Sequence, residues 1–229
     1  MRIMMIIFVL LIAVPAWVGA FRDDFEDGDM EGWIKFGEGK CAVNNGILVL
    51  EMFEKDVKGT LVECGDETWK VDTLTFDINV KKKFQENYSF AWSMRIPNGD
   101  YGIVPSIDCA LFDGVIMVCG YDGKEIFGCR GKDYSLTTDK WYKVKVVVNK
   151  SIVNLYVDDE LIVFNDWKDK PIPDGGRIDF WTAHAGEYHL DNIIVTGAGV
   201  PNTGPSGINS PFFVGFNDKL TTAWGNVKK

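Results

Sequence analysis

The stretch from Asp139 to Phe164, DKWYKVKVVVNKSIVNLYVDDELIVF, leaves this chain few folds to choose from. Tyr142, Val144, Val146 and Val148 alternate with Lys143, Lys145 and Val147. That is the period of a half-buried strand, and β-branched side chains fit a pleated surface. Asn149-Lys150-Ser151 breaks the run with turn chemistry. Val153, Leu155 and Val157 then resume the alternation against Asn154 and Tyr156. Asp158-Asp159 turns the chain again, and Leu161 to Phe164 return. No apolar stripe of period 3.6 fits the segment, so it predicts three antiparallel strands in a meander.

The same style recurs along the chain. Asn44-Asn45-Gly46 between Cys41–Val43 and Ile47–Phe53 is a hairpin signal. Leu74, Phe76, Ile78 and Val80 share one face of a long strand, and Tyr88, Phe90, Trp92, Met94 and Ile96 share one face of another. Short strands are expected at Ile107–Leu111, Val115–Cys119, Glu125–Cys129, Arg177–Ala183 and Tyr188–Val195. Roughly a dozen such strands and no helical pattern predict an all-β protein, a two-sheet antiparallel β-sandwich of jelly-roll type.

The ends read differently. Residues 1–20 have a basic start at Arg2, an apolar run from Ile3 to Val14, and Val18-Gly19-Ala20 before Phe21. This is the pattern of a signal peptide, with Phe21 the first mature residue. The apolar run, about 12 residues, is short of the roughly 20 that a bilayer span needs. No later segment is apolar enough to span, so no membrane span is expected once the signal is removed. Residues 21–197 form the expected domain. Residues 198–211, rich in Gly, Pro, Ser and Asn, read as a linker, and 212–229 as a short tail.

Charge narrows the partners. The chain carries 33 acidic against 24 basic residues, a net charge of −9. Such a surface disfavours nucleic acid and is compatible with neutral sugars or cations. The five cysteines, 41, 64, 109, 119 and 129, include no CxxC. If Asp113-Gly114 and Asp122-Gly123 are two-residue turns, Cys109 faces Val118 and Cys119 faces Ile126, so these registers pair no cysteines. Buried small hydrophobes are the default reading, with Cys41–Cys64 the first bridge to test.

Two marks resemble the concanavalin A-like lectin/glucanase superfamily, including laminin-G-like and carbohydrate-binding jelly rolls. One is DDFEDGDMEGW, Asp23 to Trp33, followed by VNNGILVL, Val43 to Leu50. The other is WYKVKVVV…VNLYVDDELI…RIDFWTA…LDNIIVTG, between Trp141 and Gly197. The resemblance spans Phe21 to Gly197, with Asp158-Asp159 where relatives often have Asp-Gly. It implies first and last strands side by side. It also implies a structural Ca²⁺ held by carboxylates there, Asp24, Glu26 or Asp27 together with Asp191. The laminarinase-like members carry Glu-x-Asp-x-x-Glu on one strand. No Glu here has that spacing; Glu54-x-Asp56 meets Gly59 where the last Glu belongs. The N-terminal mark also resembles 3-keto-disaccharide hydrolase-type domains, an enzyme-side alternative.

Fold alone does not settle function. Alternation places Arg177, Asp179 and Trp181 on the side of their strand opposite Ile178 and Phe180. A sugar ring stacks on an indole while Asp and Arg bond its hydroxyls. The expected function is therefore an exported, non-catalytic carbohydrate-binding or cell-surface interaction module. A carbohydrate or cell-surface polymer would be its partner. The alternatives are a glycoside hydrolase or lyase on the same fold, with Asp77, Asp179 and Glu125 the acids to place, and a purely structural or adhesive domain. In HAGEYHLD, His184, Glu187, His189 and Asp191 are zinc-capable residue types, but surface histidines are the expected reading.

Overall fold

The computed structural model describes residues 18–53, 59–83, 89–97, 106–112, 114–168, 170, 172–182 and 185–204. Their fifteen strands form two antiparallel sheets. Sheet A has eight: β1 (Val18–Asp23), β3 (Lys40–Val43), β4 (Leu48–Met52), β6 (Lys70–Lys83), β11 (Trp141–Asn149), β12 (Ile152–Val157), β13 (Glu160–Asp166) and β15 (Gly186–Ala198). Their order is β13-β12-β11-β6-β15-β4-β3, and β1 also pairs with β15. Sheet B has seven, ordered β10-β9-β8-β7-β14-β5-β2. These are β2 (Ile34–Phe36), β5 (Thr60–Cys64), β7 (Ser89–Ile96), β8 (Ser106–Phe112), β9 (Val115–Tyr121), β10 (Ile126–Asp133) and β14 (Arg177–Thr182).

The meander expected from Asp139 to Phe164 is β11, β12 and β13, in consecutive pairing. Its tight turn uses Asp158 at φ 49° and Asp159 at φ 66°. Aspartate visits this left-handed region more readily than most side chains, so it stands in for the usual glycine. The first and last strands, β1 and β15, lie side by side as expected.

Alternation fills the space between the sheets. Leu74, Phe76, Ile78 and Val80 of β6 face Phe90, Trp92 and Met94 of β7 and Ile178 and Phe180 of β14 across one core. Phe76 meets Trp92 and Phe180 edge-on, with ring centroids 5.3 and 5.0 Å apart. Phe90 stacks on Tyr188 at 5.0 Å. The N-terminal loop is tied to this core by the buried Asp23. One carboxyl oxygen accepts the Phe25 amide at 2.8 Å and the other accepts Trp33 Nε1 at 2.7 Å. Burial pushes the Asp23 carboxyl up to about 6 against the pull of these two donors.

Two expectations are corrected. Cys41 and Cys64 are not bridged. Cys41 sits on sheet A with its sulfur 3.5 Å from that of Met30, whereas Cys64 is buried on sheet B. The bridge is Cys119–Cys129. The turn after β9 runs from Asp122 to Glu125 and is not the two-residue Asp122-Gly123, so Tyr121 faces Ile126. A bulge between Phe127 and Arg130 then sets Cys129 against Cys119, with Gly128 at φ 58° supplying the backbone the bulge needs. The strand that ends the expected domain runs one residue past Gly197. Gly197 lies inside β15, and the chain stays packed beyond it: Val200 is buried in the core and Asn202 Oδ1 accepts the Ala20 amide at 2.9 Å.

Candidate functional site on the outer face of sheet B

The site is assembled by register. β14 runs between β5 and β7, with Ile178 and Phe180 in the core and Asp179 and Trp181 on the outer side. Direct cross-strand partners share a face. Glu63, Asp179, Ser93, Asp108 and Cys119 therefore form one row across five strands. The next row is Leu61, Trp181, Ala91, Ala110 and Met117. Trp181 is 43% exposed, and the alanines on its β7 side have no atoms beyond Cβ to cover it. Arg177 joins the face through a bulge between Arg177 and Ile178, and its guanidinium bonds the Glu63 carboxylate. Arg177, Asp179 and Trp181 thus lie on one face with Ser93 and with two carboxylates, Glu63 and Asp108, that sequence patterning did not bring to them.

The row is an unusual piece of electrostatics. Asp179 is only 8% exposed, and burial pushes its carboxyl up to about 7, with the Asp108 carboxylate pushing the same way. The Ser93 amide donates to Asp179 Oδ1 at 2.9 Å and opposes the rise. Asp108 is also raised by burial, against hydrogen bonds from the Ser106 and Ser93 hydroxyls. Ser106 Oγ donates to Asp108 Oδ1 at 2.7 Å. The Ser93 hydroxyl thus reaches both carboxyls but has one proton to give. When it donates to one, the other bonds it only by donating a proton of its own. Burial thus pushes both carboxyls of the Asp179–Ser93–Asp108 row up, against the Ser93 hydrogen bonds that favour their ionised forms. Glu63, directly opposite Asp179, would repel an ionised partner; Arg177 neutralises it instead.

The residues expected to hold calcium lie elsewhere, at the junction of β1, β6 and β15 on sheet A. Asp191 is pushed up to about 6, first by burial and then by the carboxylates of Asp77, Asp24 and Glu26. Asp24 pairs with Arg22 at 3.3 Å, and Asp27 Oδ1 accepts the Asp29 amide at 3.3 Å. Arg22 also donates to Asn192 Oδ1 at 3.1 Å, and Asn192 Nδ2 donates to Asp77 Oδ2 at 2.9 Å. Among the described residues no three His, Cys, Asp or Glu side chains are grouped to hold one ion. His184 lies outside the described residues; Glu187 and His189 bond each other at 2.7 Å.

The three acids named for catalysis do not converge. Asp77 is on sheet A, Asp179 on sheet B, and Glu125 at the β9–β10 turn pairs with Lys170 at 3.8 Å. Trp69 is not part of either outer face: it is buried against Phe21, with ring centroids 5.2 Å apart. The acids that do meet Asp179, Glu63 and Asp108, were each visible as a carboxylate alternating with apolar residues, in TLVEC and SIDCALF. Only the strand order brings them together.

No protein-family model and no curated protein matches the sequence. Solved structures do match the fold. The carbohydrate-binding module CBM66 from Bacillus subtilis superposes with a TM-score of 0.56 at 12% identity, over 72% of this chain and 96% of that one. The β-glucanase of Bacillus licheniformis gives 0.61 at 13% identity, over 78% and 98%. A Bacillus subtilis protein of unknown function with a galectin-like fold gives 0.60 at 13%, over 80% and 97%. Identities this low speak to architecture alone. The architecture they share with this chain is the two-sheet antiparallel jelly roll.

Proposed function

We propose that this chain is an exported, non-catalytic carbohydrate-binding or cell-surface interaction module. Its binding face is the outer side of sheet B, with Trp181 as the stacking platform and Arg177 and Asp179 as polar partners. The observation that carries the reading is the exposed indole set beside a row of buried, hydrogen-bonded acids. A neutral Asp179 can donate to a sugar hydroxyl as well as accept from one. Fold neighbours that include a carbohydrate-binding module support the ligand class. The Cys119–Cys129 disulfide fits an oxidising compartment and supports export. Among the described residues, no helix is long and apolar enough to cross a membrane. The test is a glycan array probed with the purified full chain. Binding to a neutral glycan that Trp181→Ala abolishes, with the melt unchanged, is the expected result. An array without hits, or a Trp181→Ala variant that unfolds, would sink the site.

One observation favours a second reading, hydrolysis. Asp179 has the near-neutral carboxyl of a general acid, and Asp108 is a second carboxyl two strands away, about 10 Å between backbones. Release of reducing ends from a glycan that binds, lost in Asp179→Asn, would favour it over simple binding.

Calcium remains a proposal for Asp24, Glu26, Asp27 and Asp191. Its support is that Asp77, Asp24 and Glu26 all lie close enough to Asp191 to raise its carboxyl beyond the effect of burial, a repulsion a cation would relieve.

A further inference from the structure

The opposite side of the sandwich carries a second exposed tryptophan. Trp141, the first residue of β11, is 39% exposed on the outer face of sheet A. Its cross-strand partner is Asn79 of β6, and the partner of Asn79 on the far side is His189 of β15. We propose that Trp141, Asn79 and the His189–Glu187 pair form a second site for a neutral, polyhydroxylated ligand. The protein would then bind sugar on both faces and bridge two polysaccharide chains. The inference rests on the ligand class proposed for the Trp181 face, but on different residues.

Three features carry it. Asn79 is only 4% exposed, and its side-chain oxygen Oδ1 has no hydrogen-bond partner among the described residues. A buried acceptor left unpaired is costly and calls for an explanation. Asn79 stands in register between an indole and an imidazole, where a ligand hydroxyl would supply the missing donor. The His189 ring is fixed by Nε2 bonding Glu187 Oε1 at 2.7 Å, and Glu187 is held in turn by Lys82 at 3.4 Å. With Nε2 committed, Nδ1 is the polar atom the ring has left for a ligand.

Charge around the row is balanced. Lys82 pairs with Glu187, and Lys81 pairs with Asp139, whose carboxylate is also close enough to feel His189. No excess of either sign invites a phosphate or a polycation. An aromatic face, an amide and a histidine across three strands, about 10 Å from end to end, suit a short run of sugar hydroxyls. Trp141 stands directly opposite Asn79, so its fluorescence is a natural reporter of occupancy.

The two sites cannot serve one stretch of glycan. Trp141 and Trp181 point away from each other on different sheets, with Ile78, Phe76 and Phe180 packed between. Two chains bound to one monomer are thereby bridged.

The experiment titrates the purified full chain with mixed-linkage β-glucan, fructan and β-galactan, each as polymer and as tetrasaccharide. Calorimetry with the tetrasaccharide reads stoichiometry, and light scattering with the polymer reads bridging. Two sites per chain are expected for at least one of the three sugars. Trp141→Ala and Trp181→Ala should each halve the stoichiometry and each abolish the scattering. Asn79→Leu should weaken the sheet A site at least tenfold while raising the melting temperature, because it deletes the orphan acceptor. That rise separates a lost site from a lost fold. One site per chain, lost in Trp181→Ala and untouched in Trp141→Ala, would overturn this inference and leave the Trp181 site standing. One site lost only in Trp141→Ala would keep the sheet A site and sink both the bridging and the Trp181 site. No binding to any of the three would overturn both sites for neutral glycans.

Discussion

The outer faces of the two sheets compensate their acids differently. On sheet A acids also face acids, Glu51 opposite Glu187 and Asp77 opposite Asp191, but bases stand on both pairs: Lys40 meets Glu51 at 3.4 Å, Lys82 meets Glu187 at 3.4 Å, and Lys143 stands opposite Asp77. These are ordinary cross-strand pairs. On sheet B, acids meet acids. Glu63 faces Asp179, and Ser93 joins Asp179 to Asp108, with Arg177 the cation bonded to the row. A face selected only for stability would bring a base to each pair of acids. Local conflicts of the kind on sheet B are where function is expected to reside.

The largest expected effect follows from that conflict. Asp179 has a folded value of about 7 against an ordinary 3.8. Between pH 4 and 7 the folded protein holds a proton that the unfolded chain has released. Stability from this group is therefore fully present below about pH 4 and is lost as pH rises towards 7. Asp23 and Asp191, each raised to about 6, act in the same direction. Asp179→Asn removes the titration at its own site. At pH 8 the variant should be more stable than the parent by a few kcal/mol, and at pH 4 nearly equal to it. Urea midpoints at the two pH values measure this. Parallel pH slopes for parent and variant would show that Asp179 carries no extra proton in the fold.

Next in size is the edge of that face. The Cys119–Cys129 bridge closes a loop of ten residues between β9 and β10, and Cys119 ends the acidic row. Replacing both cysteines with serine should cost about 2–3 kcal/mol through unfolded-state entropy. Sheet A contains no disulfide among its described residues, so reductant should destabilise the parent and leave the Cys119→Ser/Cys129→Ser variant unmoved. An equal response of the two proteins would argue against the bridge.

A smaller effect is expected on sheet A from calcium. A weak extracellular-type site, filled at millimolar calcium, would contribute about 1 kcal/mol. For a chain of this size that is a rise of about 2–4 °C in Tm. Asp191→Asn should remove the response. A melt that is the same in chelator and in calcium would leave Asp191 as a buried acid without an ion.

Most of the fold was legible because its signals are local. β11, β12 and β13 follow from alternation and the turns at Asn149-Lys150-Ser151 and Asp158-Asp159, which need no partner to be recognised. The same local rule placed Asp179 with Trp181. What stayed hidden depends on register between distant strands. β14 lies between β5 and β7, far from both in sequence, so nothing local places Glu63 and Asp108 in its row. The Cys119–Cys129 pairing turned on a four-residue turn and a bulge at Gly128, each of which shifts the register. Trp141 was visible in the opening stretch. Its partners Asn79 and His189 become neighbours only through the β11-β6-β15 order.

The smallest expected effect on stability sharpens the comparison most. Trp92 and Trp181 lie on adjacent strands but on opposite faces of sheet B. Trp92 is 1% exposed and packs on Phe76 and Phe90, so Trp92→Ala should cost about 3–5 kcal/mol. Trp181 packs beside alanines and is nearly half exposed, so Trp181→Ala should shift stability by no more than about 0.5 kcal/mol. An indole that the fold does not need, held beside acids that the fold tolerates at a cost, is best explained by a ligand. If Trp181→Ala costs as much as Trp92→Ala, the indole belongs to the packing of Gly59 and Thr182 that it touches, and the outer face of sheet B loses its platform.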